Sequence, residues 1–73
     1  MTRIEEHDIE GLGFVCFNLN GPAWFDRDNL RVTLSADEVR VIRFARRGVI
    51  DWDLTMSRNV PAAVIIAAIT AAI

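Results

Sequence analysis

The sequence predicts an α+β fold: a small antiparallel sheet of three to four strands, a capped helix at about 36–47 and an apolar C-terminal helix at about 61–73. Three observations carry this reading. Residues 30–34 and 49–56 alternate apolar and polar side chains, the period of a half-buried strand. Ser35-Ala-Asp-Glu38 between them has the spacing of a helix capping box. The last fifteen residues, 59–73, hold no charge, and all but Asn59 and Thr70 are apolar or proline.

Taken in chain order, residues 1–10 set Glu5, Glu6, Asp8 and Glu10 around Ile4, His7 and Ile9, and Gly11 and Gly13 then interrupt any helix. One small domain is expected over residues 1–73, with 1–10 as its flexible acidic lead-in. Phe14 to Leu19 is rich in aromatic and branched residues and ends at Asn20-Gly21, a strong turn pair, so it reads as a strand. Pro22 lacks an N–H for a ladder, which makes a return strand at Ala23, Trp24 and Phe25 a short or edge strand. Asp26 to Asn29 forms a second polar turn. Leu30, Val32 and Leu34 then share one face of a strand, opposite Arg31 and Thr33.

In the capped helix, Ser35 accepts from the Glu38 amide, and Leu34 and Val39 flank the cap as a hydrophobic staple. Arg46 and Arg47 suit its C-terminal end, and Gly48 stops it. At 100° per residue, Arg40, Arg43 and Arg47 fall on one arc and Val41, Ile42, Phe44 and Ala45 on the other. The stretch 49–56 reads as a strand with Ile50, Trp52, Leu54 and Met56 on one face. Pro61 favours the first turn of a helix, in which Ile65, Ile69 and Ile73 form a stripe widened by Val64 and Ile66.

Composition excludes several classes. A run of 15 residues is short of the roughly 20 needed to span a bilayer as a helix, so 59–73 is core or interface. Cys16 is the sole cysteine, which rules out an internal disulfide and fits a reducing cytoplasm; no Cys/His cluster offers a metal site, and no cofactor is expected. A chain this small buries only about 60% of its unfolded surface, so a partner or a homodimer is the expected supplement. The net charge of −2 covers an uneven distribution: residues 1–30 carry six acids and two arginines, residues 31–58 six arginines and four acids. All eight basic residues are arginine, which suits planar, bidentate contacts.

No nucleophile and base fall together: His7 lies in the lead-in, Cys16 in a strand, and Ser35 in a cap. Enzymatic chemistry is therefore not expected. The candidate protein-binding residues are Arg40, Arg43 and Arg47 as polar contacts and Trp24 and Phe25 as an apolar anchor, since arginine and large aromatics dominate binding hot spots. The acidic lead-in suits docking on a basic protein surface. A helix-turn-helix laid over 48–69 fails, because its second helix would offer the major groove no donor beyond Thr70.

Two resemblances bear on function. Arg31-Val-Thr-Leu34, the capped helix, Ser57-Arg58 and the apolar helix together resemble ribbon-helix-helix repressors, in which a strand pairs across a dimer and outward residues, here Arg31 and Thr33, read the groove. The 48–56 connection is longer than that family's turn, and the acidic balance, with a pI near 5.1, opposes attraction to phosphate. By length, arginine-only basicity and acidic front, with Met1-Thr-Arg-Ile-Glu-Glu6 and Arg46-Arg-Gly-Val-Ile50, the chain resembles small phage-encoded transcription regulators. That likeness implies binding to the largest subunit of host bacterial RNA polymerase, inhibition of initiation and promotion of antitermination, in the host cytoplasm.

Overall fold

A computed structural model describes residues 3–17 and 23–73. The chain runs as helix α1 (Glu6–Glu10), strands β1 (Val15–Phe17), β2 (Trp24–Arg27), β3 (Leu30–Leu34), β4 (Glu38–Arg46) and β5 (Val49–Ser57), and helix α2 (Ala62–Ala72). The five strands form one antiparallel meander in the order β1-β2-β3-β4-β5. The class is α+β, with one or two strands more than expected. The expected turn at Asn20-Gly21 and the break at Pro22 lie outside the described residues.

The register gives each face its rows of side chains, because directly opposed residues of antiparallel strands point the same way. Cys16, Phe25, Val32, Val41 and Leu54 form one row across the sheet. Leu34, Val39 and Met56 form the next row on the same face. Against this face pack Ile4 and Ile9 from the N-terminal segment, Phe14, and Ala62, Ile65 and Ile69 of α2, making one core. Both helices thus cover the same face. The lead-in expected to be flexible contains α1, whose Glu5 N–H donates to Asp8 Oδ2 at 2.9 Å, and its two isoleucines are fully buried. The stripe read on the last helix holds at Ile65 and Ile69 but leaves Ile73 exposed.

The helix expected at about 36–47 is instead β4. The local bond read as a cap does form: Glu38 N–H donates to Ser35 Oγ at 3.1 Å. Ser35 N–H also donates to the Glu38 carbonyl at 3.0 Å, which closes a turn and sends the chain back along β3. A capping box and a serine turn share that first bond, so the residues that follow decide between them. Here Val39, Val41, Ile42 and Phe44 are branched or aromatic, and β3 and β5 both gain a full ladder from a strand between them. The presumed staple pair, Leu34 and Val39, is a cross-strand pair.

Arg46 opposes Val49 across a two-residue turn in which Gly48 has φ of +78°. A β-carbon there would meet no atom within 4 Å, so a substitution is opposed by backbone strain alone. Gly48→Ala is expected to cost about 1–2 kcal/mol, read as a drop of roughly 4–16 °C in midpoint by thermal circular dichroism. An unchanged midpoint would show that the turn relaxes to another conformation. In the β2–β3 turn Asp28 takes a φ of 54°, a conformation that aspartate tolerates better than most residues.

Candidate functional site

Neither helix contributes to the core from the second sheet face. Its rows are Phe17, Trp24, Thr33, Arg40 and Thr55, and Val15, Asp26, Arg31, Ile42 and Asp53. The central feature is Arg31. Its guanidinium carbon lies 5.5 Å from the centroid of Trp24 and 5.6 Å from that of Phe44. Asp26, opposite it on β2, accepts from Nε at 2.7 Å and from Nη2 at 3.0 Å. That bidentate bond fixes the plane of the guanidinium between the two rings and holds Arg31 still more firmly in its charged form, against the opposing effect of desolvation. Phe17 extends the row, its ring stacked on Trp24 at 6.1 Å and 20°.

Ile42 is 7% exposed yet lies outside the helix-covered core, so this face has an apolar floor of its own. Beside it Arg40 Nε donates to Asp53 Oδ2 at 3.0 Å. Two arginines and two aspartates thus balance on a surface otherwise made of aromatic, aliphatic and threonine side chains. Toward one end the face opens into a cleft of about 480 Å³, lined among others by Asn29, Arg31, Phe44, Arg46 and Arg47. The cleft is held by Phe44 N–H donating to the Asn29 carbonyl at 2.9 Å, with Asn29 Nδ2 donating back at 3.2 Å. A second cleft, of about 400 Å³, is lined chiefly by Glu5, Glu6, His7, Glu10 and Arg58.

The structure distributes the expected binding residues rather than gathering them. Trp24 lies on the open face. Phe25, its neighbour, is 0% exposed in the core, which corrects its assignment as a surface anchor: adjacent residues of a strand point to opposite faces. The arc of Arg40, Arg43 and Arg47 dissolves with its helix. Arg40 is on the open face, Arg43 is on the helix-covered face opposite Trp52 and 3.8 Å from Asp51, and Arg47 is in the β4–β5 turn. The ribbon-helix-helix overlay keeps its last helix, α2, but loses its free strand and its first helix, since β3 is flanked by β2 and β4 and the following residues are strand. The helix-turn-helix overlay likewise meets β5 where its first helix should be.

Phe17, Asp26 and Phe44 belong to this site and were not found from the sequence. A usable signal existed in Asp28-Asn29: a two-residue turn sets Arg27 opposite Leu30, hence Asp26 opposite Arg31 and Trp24 opposite Thr33. Among the described residues, no three His, Cys, Asp or Glu side chains converge as metal ligands. No helix of the described residues is long and apolar enough to cross a membrane.

Cys16 lies half-buried opposite Phe25 on the helix-covered face. Its thiol is pushed up from the usual value, first by desolvation and then by the charges of Glu6 and Glu10. Less thiolate is then present at a given pH, so alkylation by iodoacetamide at about pH 8 is expected to be slower than that of free cysteine. Faster labelling in a timed assay would mark Cys16 as an activated nucleophile instead.

Compared with known proteins, the chain matches no family model, no curated protein and no solved structure.

Proposed function

We propose that this chain is a non-enzymatic regulator that binds a larger protein through the uncovered sheet face, and that host bacterial RNA polymerase is that protein. The observation that carries the reading is Arg31 clamped by Asp26 between Trp24 and Phe44. Trp and Arg are the residues most enriched in binding hot spots, and here both are held in place before any partner arrives, which lowers the entropy lost on docking. At the centre of the face Arg31 and Arg40 are each paired with an aspartate, Asp26 and Asp53, which favours a protein over a nucleic acid there because phosphate binding needs a surplus of positive charge; Arg46 and Arg47 lie in the cleft at one end. The largest polymerase subunit as target, loss of initiation and gain of antitermination as outputs, and a cytoplasmic site of action complete the proposal; they rest on the sequence resemblance.

The test uses the tagged chain with purified bacterial RNA polymerase and with nuclease-treated lysate. Stoichiometric capture of polymerase, lost on Trp24→Ala and accompanied by inhibited promoter-dependent transcription, is the expected result. Failure to bind polymerase, or binding indifferent to Trp24, sinks the corresponding half of the proposal.

A further inference from the structure

The outer strand β5 is nine residues long, pairs only with β4, and exposes Val49, Ile50, Trp52 and Leu54. Edge strands of this length are usually blunted by proline, lysine or a covering element, because their free main-chain groups template a further strand. β5 has neither proline nor lysine. Its irregularity is confined to the turn end, around Phe44, which leaves the stretch from Asp51 to Ser57 regular.

The direction of its free groups follows from the ladder. Phe44 N–H bonds to Asn29 and Ser35 N–H bonds to Glu38, so even-numbered residues of β4 bond toward β3 and odd-numbered ones toward β5. Val39, Val41 and Arg43 therefore engage the main chain of Met56, Leu54 and Trp52. Asp53 and Thr55 are left directing N–H and C=O out of the sheet.

We infer that β5 pairs antiparallel with β5 of a second copy of this chain about a two-fold axis at Leu54. Side chains opposed across an antiparallel pair share a face, which restricts the register. An axis at Asp53 sets Asp53 against its own copy, and an axis at Trp52 sets Asp51 against Asp53, so both oppose like charges. With the axis at Leu54, Asp53 meets Thr55, Asp51 meets Ser57, Trp52 meets Met56, and no acid faces an acid; an axis at Thr55 also keeps the acids apart but shortens the paired stretch from 51–57 to 53–57. Asp53 and Thr55 are the residues with outward main-chain groups, so each copy satisfies the other. Leu54, 44% exposed in the single chain, lies beside its own copy, and Trp52, 38% exposed, lies beside Met56 of the second copy, all on the helix-covered face. The paired sheet sets two open faces on one side and supplies the burial that so small a chain lacks.

The test is sedimentation equilibrium of the full chain from micromolar to millimolar concentration, together with cysteine pairing in a Cys16→Ala background. A dimer is expected, with Leu54→Cys cross-linking to its copy under mild oxidation and Asp53→Cys failing to do so, since only the former brings α-carbons within disulfide reach. Thr55→Pro removes the outward N–H while sparing the bonds to β4, and should weaken dimerisation about 30-fold, the loss of two symmetric hydrogen bonds. If that variant fails to fold, the cysteine pair still decides. A chain that stays monomeric throughout, or that links through Asp53→Cys, overturns the inference, including the case in which β5 accepts only a strand of another protein. Asp53 and Thr55 carry their side chains on the open face, but Leu54 lies on the helix-covered face, and sedimentation and Leu54→Cys cross-linking are read with no polymerase present, so the dimer stands or falls separately from polymerase binding.

Discussion

Phe25→Ala is expected to lower the thermal midpoint by roughly 12–40 °C, enough to leave much of the chain unfolded at 37 °C. Phe25 is the largest side chain that is fully buried, and it lies in the middle of the row Cys16, Phe25, Val32, Val41 and Leu54, where α1, α2 and the sheet converge. Replacing a buried phenylalanine with alanine costs about 3–5 kcal/mol. A chain of 73 residues has roughly 4–11 kcal/mol of stability in total, so this one change removes much of it. Circular dichroism against temperature or urea measures the effect. A midpoint lowered by only a few degrees would mean that Phe25 is not the keystone of the core and would reopen its assignment as a surface anchor.

The same residue shows where sequence reasoning succeeded and where it stopped. Alternation located β3 and β5, and Pro61 with the uncharged run behind it located α2, because those signals are local and unopposed. At 36–47 two local signals competed. The Ser35–Glu38 bond and the placement of arginines suited a helix, while Val39, Val41 and Ile42 suited a strand; the choice was made by β3 and β5, which are distant in sequence from one another. The site depended wholly on that choice. Once 38–46 is a strand, Phe44 comes over Arg31, and Arg40 and Arg43 part to opposite faces. Trp24 and Phe25 illustrate a smaller ambiguity: without the register of the β2–β3 hairpin, nothing in the pair itself says which ring points inward. Exposure of β5 was not legible either, because its apolar alternation matches that of a covered strand and only the sheet order shows it to be the outermost.

Trp24→Ala should separate binding from folding. The ring is half-buried, lies on the open face and contacts Phe17 and Arg31 rather than the helix-covered core, so its loss should cost the fold only about 1–2 kcal/mol, the sum of a stacking and a cation–π contact. Binding should suffer more. A central tryptophan in a desolvated interface is worth 2 kcal/mol or more, so affinity for the polymerase should fall about 30-fold or further by calorimetry or biolayer interferometry. Arg31→Lys provides the sharper control. Lysine keeps the positive charge but gives up both the bidentate bond to Asp26 and the planar stack between Trp24 and Phe44. If the partner reads charge alone, Arg31→Lys binds as the parent does; if it reads the clamped plane, Arg31→Lys falls toward Trp24→Ala. The geometry predicts the second result, because Asp26 already neutralises Arg31 at bonding distance and leaves its flat, aromatic-flanked surface as what it presents.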